Sequence, residues 1–395
     1  MRFIDTPEFQ RLRRLHQLGL AKYVYPDCTH TRFEHSLGTY HLARRLVEAI
    51  QSDPQCASVR LTNSERMCVM IAALCHDIGM GFAIFFVHCF FLFFSHENMS
   101  CLIVKRIVAK DHPLRDFLKA SGVDLELVSA LICGHPTPEL VVRLIYFLNA
   151  DADTPPKFLC SSGCLLLQIV SNTLNGNDVD KWDYIMRDSL HAGMGQGQGV
   201  IEVERMLRFY RPAYYASDDA WHMSFRSSEY SNIMRIFSQR TRLFRSVYAH
   251  KTALTIEAMF IDILNALEST LHLRDLSLRA CAGDDNAIEK YLQLDEHCLW
   301  VMASSQYPHP SEASSLIKAD LLRSTHLCQR IEFRQLYSFV GKFLVMEKKN
   351  HMDEYNHQHA KNESDMDELL GNASEPKDVL DVIEVEVTTS SLTFQ

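Results

Sequence analysis

Residues 63–79, NSERMCVMIAALCHDIG, decide between a helical and a sheet-built chain. Met67, Met70, Ile71 and Leu74 recur at the interval of one helix face, in a run that starts after Asn63. The run reaches a His76-Asp77 pair just before Gly79. Adjacent helix positions point about 100° apart, so two neighbouring side chains cannot converge from mid-helix. At a helix end, ahead of a glycine, the backbone can relax and bring both to one point. The stretch therefore predicts an amphipathic helix that ends on a polar pair inside a helical bundle.

Helical periodicity extends outward from there. Thr6 and Pro7 predict an N-terminus, with Phe9, Leu12, Leu15 and Leu18 on one face until Gly19. Further helices are expected over 35–50, 178–190, 229–268 and 311–343. Strand signals are few before Ile383, Val385 and Val387, which alternate with Glu384, Glu386 and Thr388. The expectation is an all-α helical bundle over 1–345, a polar linker over 346–376, and from 377 to 395 the start of a truncated α+β, β-containing lobe. His351, His357 and His359 in the linker suit either a metal or, more simply, a solvated loop.

The chain has 395 residues, 47% hydrophobic and 23% charged, enough to bury a sizeable core. Its 40 basic and 49 acidic residues leave a net charge of −9, which argues against a chain built mainly to neutralise a phosphate backbone. No apolar run approaches the ~20 residues of a spanning helix, so no membrane partner is expected. The apolar stretch over 82–94 holds seven phenylalanines and His88. No secretory signal is visible, and twelve scattered cysteines without a CxxC pair suit a reducing compartment, nuclear or cytoplasmic.

Four groups carry chemistry: His35 in RFEHSLG, His76-Asp77 in LCHDIG, His96-Glu97 in FSHEN and Asp180 in DVDKWDYIMRD. Separations this long suit ligands delivered by different helices into a bundle interior. Two imidazoles and two carboxylates make a mixed N/O shell fit for Zn, Fe or Mn. Tyr184 and Asp188 lie one and two turns beyond Asp180 and share its face.

The wording IDTPEFQRLRRLHQLG, RFEHSLGTYHLA, AALCHDIG and NGNDVDKWDYIMRD resembles the HD-domain phosphohydrolase superfamily. More narrowly, it resembles the sterile-alpha-motif and HD-domain deoxynucleoside triphosphate triphosphohydrolases of animals, here as the catalytic part alone. The resemblance implies metal ligation by His35, His76, Asp77 and Asp180, and release of intact triphosphate from a deoxynucleotide, dGTP foremost. Arg32, Lys181 and Arg240 would meet the phosphates, and Tyr184 and Tyr248 the phosphates and sugar. Gln17 and Asp188 would hold the 3′-hydroxyl, with Leu18 against sugar and base. It also implies a homotetramer, possible binding of single-stranded nucleic acid, and guanine or deoxynucleotide activators (GTP, dGTP and other dNTPs), with Mg on bound nucleotides. Asp5, Gln10, Arg13 and Phe33 match one activator site; Val24, Tyr25, Arg205, Arg226, Asn232, His250 and Lys251 match the other.

The chain departs from that pattern after LCHDIG. Met80 stands where the family has the first of two proton-handling histidines, the second has no counterpart, and His96 matches a downstream one. The phenylalanine run over 82–94 reads either as an unusual buried helix or as a misassembled segment. Ala249 stands where the family often has glutamine. An HD phosphodiesterase, and a non-catalytic relative that binds nucleotide or single-stranded nucleic acid, are the rival readings.

Overall fold

Thr31 and Thr62 each begin a long helix by the same device. Their side chains pair with backbone N–H groups of the first turn, while Glu34 and Glu65 reach back to the capping residue. The resulting helices are α1 (Arg32–Ser52) and α2 (Asn63–Cys75). In this computed structural model the described residues are 2–81, 95–136, 165–195, 201–217, 220–305 and 315–338, together with the strands at 342–345 and 383–386. The Phe-rich run, His88 and the 346–376 linker with its three histidines lie outside them.

Helices α3 (His96–Lys110), α4 (Leu125–Cys133), α5 (Val179–His191), α6 (Tyr230–Leu243), α7 (Lys251–Leu271) and α8 (Ser315–Glu332) follow in the main body, with shorter helices between them. Helix α1 packs between α2 and α5, α4 against α2 and α3, and α7 against α8. Phe9, Leu12, Leu46, Ile50, Ile78, Met99, Ile103 and Trp182 are among the large side chains sealed in this core. The all-α expectation holds for this body, and no helix of the described residues is long and apolar enough to cross a membrane.

Several local expectations do not hold. The N-terminal helix stops at Gln10 and gives way to tight turns at Arg11–Arg14 and Gly19–Tyr23. Residues 15–17 instead pair with 30–32: Arg32 N donates to Leu15 O at 2.9 Å and Gln17 N to His30 O at 2.9 Å. The 229–268 helix is two helices, separated by a π-helical turn at Phe244–Tyr248 and an extended His250. The 311–343 helix ends at Glu332, before a left-handed Arg334, and residues 342 and 343 are in a strand.

A hairpin was not expected. Strands β1 (Tyr210–Tyr215) and β2 (Ala220–Phe225) pair antiparallel, Tyr210 opposite Phe225. Tyr210 stacks on Phe225 at 4.2 Å and meets Trp182 edge-on at 5.3 Å. Its hydroxyl donates to Asn177 O at 2.9 Å, and Trp182 Nε1 donates to Asn177 Oδ1 at 2.6 Å. The hairpin thus clamps the start of α5, the helix that carries Asp180.

The body spans Met1–Gln335, and Leu336–Gln395 forms a second compact unit. In that unit β3 (Lys342–Val345) pairs antiparallel with β4 (Ile383–Glu386), the strand anticipated from the alternation there.

Candidate metal centre

Each of three helices brings part of one cluster. His35 sits in the first turn of α1 and is 1% exposed. Helix α2 ends at Cys75, so His76 is its C-cap and Asp77 lies in the turn that follows. Asp180 is in the first turn of α5, whose N-cap Asp178 accepts from Lys181 N at 2.9 Å.

The ligand atoms of His35, His76 and Asp77 lie within 4.8 Å of one another. His35 Nε2 is 3.1 Å from His76 Nε2 and 3.0 Å from Asp180 Oδ1. His76 Nε2 is 3.3 Å from Asp180 Oδ1 and 3.7 Å from Asp77 Oδ1. An ion with bonds near 2.1 Å holds neighbouring ligand atoms about 3.0–3.4 Å apart, the spacing among His35, His76 and Asp180, while Asp77 stands slightly wider at 3.7 Å.

The outer ring nitrogens say the same. His76 Nδ1 lies 3.0 Å from Ala73 O, which can only accept, so Nδ1 carries the proton and Nε2 turns a lone pair inward. His35 Nδ1 donates to Asp183 Oδ2 at 2.9 Å. Asp183 is itself gripped by Arg187, with Nε and Nη2 each at 2.8 Å from a carboxylate oxygen. Imidazoles oriented through their second nitrogen by a carboxylate or a carbonyl are what metal sites use to fix tautomer and direction. The donor set fits a divalent transition ion.

Mutual ion pairing shifts the titration of the cluster. Burial disfavours a charged His35, yet its hydrogen bonds to Asp180 and Asp183 outweigh burial and raise its pKa to about 10. Burial also opposes the Asp77 anion. Arg32, then His76, His35 and His96, overcome it and hold that carboxyl below its usual range. Arg32 pairs directly with Asp77, both side chains buried. Two imidazole nitrogens and two carboxylates converging in a buried site are a donor set suited to a cation.

Beside the cluster lies a cavity of about 230 Å³. Gln17, Leu18, Arg32, Tyr184, Asp188, Arg240 and Tyr248 all line it. Arg240 Nε donates to Tyr184 Oη at 3.1 Å. Asp188 accepts from His30 Nε2 at 2.8 Å and from Tyr248 Oη at 2.5 Å. Lys181 is not among the lining residues; its Nζ binds Asp178 Oδ2 at 2.7 Å. His96 heads α3 and faces Glu97 at 3.2 Å.

The residues matched to activator sites fall into three neighbourhoods. Arg13 donates to Gln10 at 2.8 Å and lies over the Phe33 ring at 3.6 Å, with Asp5 exposed nearby in sequence. Tyr25 meets His250 edge-on at 5.8 Å, next to Val24 and Lys251 in the chain. Arg205 and Arg226 flank Phe209 at 5.7 and 5.2 Å, and Asn232 exchanges bonds with the Glu202 backbone.

Sequence reasoning missed the residues that support the cluster. Asp183 and Arg187 lie three and seven positions past Asp180, a spacing that could have flagged them. Gly38 leaves room for that pair: a Cβ there would sit 1.8 Å from Asp183 Oδ1. Gly79 lets the His76-Asp77 turn touch the backbone of α3, where Ser100 Oγ donates to His76 O at 2.6 Å and accepts from Gly79 N at 2.9 Å.

The HD domain family matches residues 32–185, a span that contains all four clustered residues. The chain is 31% identical over 373 residues to the deoxynucleoside triphosphate triphosphohydrolase SAMHD1 of Bos taurus, covering 90% of this chain and 58% of the relative. It is 30% identical over 354 residues to that of Homo sapiens, covering 87% and 52%. The Dictyostelium discoideum homolog is 30% identical over 355 residues, covering 87% and 57%. The chain thus spans a little over half the length of these relatives. With a two-histidine, two-aspartate cluster on three helices and this similarity along most of its length, the chain carries an HD domain at residues 32–185.

Proposed function

We propose that this chain hydrolyses deoxynucleoside triphosphates, dGTP foremost, to a deoxynucleoside and inorganic triphosphate. The observation that carries the proposal is Arg32, which pairs with Asp77 at the cluster and also lines the adjoining cavity. One side chain thereby borders both the metal cluster and the cavity.

A divalent Zn, Fe or Mn ion held by His35, His76, Asp77 and Asp180 would supply Lewis acidity toward water and phosphate oxygen. The protein's own groups do the rest. Arg32, Arg240 and Lys181 meet the polyphosphate, whose charge is accompanied by Mg, and Tyr184 is steadied by Arg240. Asp188, held by His30 and Tyr248, takes the 3′-hydroxyl with Gln17, while Leu18 packs on the sugar. Successive turns of α5 place Asp188 about 12 Å along the axis from Asp180. A water oxygen bonds to the α-phosphorus and releases its proton to solvent, the bond to O5′ breaks, and O5′ takes a proton. His96 is the candidate donor. The contact sets around Phe33, Tyr25 and Phe209 support binding of GTP or deoxynucleotide activators.

Met80 favours one second reading, a relative that binds nucleotide without turning it over. Incubating metal-loaded protein with dGTP plus GTP and chromatographing for triphosphate tests both. Intact triphosphate supports the hydrolase; tight dGTP binding with no product supports the binder; cleavage of cyclic or oligonucleotides alone supports a phosphodiesterase.

A further inference from the structure

The cavity contains two acceptors left without partners among the described residues: Gln17 Oε1 and Glu257 Oε2. Each residue is 7% exposed and lines the cavity. A buried acceptor with no donor costs about 1–3 kcal/mol, and more if it is charged. Gln17 has a role in the proposed hydrolysis, whereas Glu257 has none.

Glu257 lies on α7, one turn beyond Ala253, which lines the same cavity. Helix α7 carries no residue of the metal cluster and packs against the turn Gly19–Tyr23, which contributes Ala21. With Arg32, Arg240 and Tyr184 marking the metal and phosphate end, and Gln17, Asp188 and Tyr248 the sugar, the rest of the wall is Leu18, Ala21, Phe244, Ala253 and Glu257. That is an apolar slot with a carboxylate set in it, the shape and polarity of a site for an aromatic base.

The two oxygens of a carboxylate are matched by two neighbouring donors. Among the four DNA bases, only guanine offers two adjacent donors on one edge, N1–H and the N2 amine. Adenine and cytosine set a donor beside an acceptor, and thymine has one donor between two acceptors. We infer that Glu257 reads the base, accepting N1–H and N2–H of a guanine, so that guanine deoxynucleotides are the substrate class. This inference rests on the proposed nucleotide hydrolase and assigns specificity to a residue outside its catalytic set. Burial, and then the charge of Glu296, lift the Glu257 carboxyl to about 7. A pair of donors from the ligand would stabilise the anion that burial disfavours.

The test compares dGTP with dITP, which keeps N1–H but lacks the N2 amine. Both are given to the metal-loaded full chain with GTP held constant, as wild type, Glu257→Gln and Glu257→Ala. Discrimination is read as a kcat/KM ratio where triphosphate is released and as a Kd ratio where it is not. Losing one charge-assisted bond predicts a wild-type preference for dGTP of about 10-fold or more. The preference should shrink to a few-fold in Glu257→Gln and to within about twofold in Glu257→Ala. Equal use of dGTP and dITP by the wild type, or an undiminished ratio in both variants, overturns the inference. The isosteric Glu257→Gln decides the matter if the alanine variant does not fold. Failure to release triphosphate, with the binding preference intact, removes the hydrolase reading and leaves the base-reading assignment standing.

Discussion

Gly38→Ala should weaken metal binding without touching a ligand. The added Cβ would lie 1.8 Å from Asp183 Oδ1, 2.6 Å from Asp183 Cγ and 2.5 Å from Arg187 Nη2. Non-bonded heavy atoms settle near 3.5 Å, so the carboxylate must retreat by roughly 1.5 Å. That breaks the 2.9 Å bond that orients His35 and loosens the two 2.8 Å bonds from Arg187. Losing such an outer partner lowers metal affinity about 10–100-fold, or roughly 1.4–2.7 kcal/mol. Metal-free stability should move less. Overpacking costs about 1–3 kcal/mol, and alanine recovers about 1 kcal/mol of helix propensity inside α1. Competition for Zn between the protein and a chromophoric chelator measures the first quantity, and thermal melting of the metal-free protein the second. Asp183→Asn should give a similar loss, and the double variant little more than either, because both act on one link. Wild-type zinc affinity in Gly38→Ala, or full additivity in the double variant, would refute the reasoning.

Four further outcomes are expected. The Glu257 carboxyl has an ordinary value of 4.5 and stands at about 7 in the folded chain. The folded state therefore holds the extra proton, and stability falls as pH rises between those values, by about 3 kcal/mol in all. Glu257→Gln should raise Tm near pH 8 and leave it almost unchanged near pH 4.5. His96→Ala should cost about 10²–10⁴ in triphosphate release at constant metal content; unchanged turnover would remove His96 as proton donor. Zn at 100 times its Kd should stabilise the protein by about 2.7 kcal/mol, an increment that a chelator reverses and that His35→Ala abolishes, all read by calorimetry. Gly79→Ala places a Cβ 2.3 Å from Ser100 N, a backbone atom that cannot swing aside. It should lower both Tm and metal occupancy, and a variant that melts and loads normally would contradict the close packing described.

Much of the body was legible because its signals are local. The Thr6 cap with Pro7, the apolar spacing of α2, and the four-residue steps of Asp180, Tyr184 and Asp188 all act within a few turns of chain. The meeting of His76 and Asp77 at one point follows from a helix that ends at Cys75 ahead of Gly79. What was not legible depends on distant partners. Residues 15–17 leave the helix that Leu12 and Leu15 suggest because 30–32 offer them backbone bonds. The β1–β2 hairpin lacks an alternating pattern: it is half-buried on both faces, carries Pro212, and is fixed by Trp182 and Asn177. Asp183 reads as an ordinary helix-surface acid until α1 places His35 and Gly38 against it.

The π-helical turn at Phe244–Tyr248 fits one more residue into a turn than a regular helix does. Arg240 and Phe244 precede it or begin it, Tyr248 closes it, and Ala253 and Glu257 follow, yet all five look into one cavity. The shared orientation of Arg240, Phe244 and Tyr248 is thus a matter of phase, set by a single surplus residue. Deleting one position there would turn Tyr248 about 100° away from the other two and shorten the link to α7. Across this segment the gene can drift in letters but is locked in length.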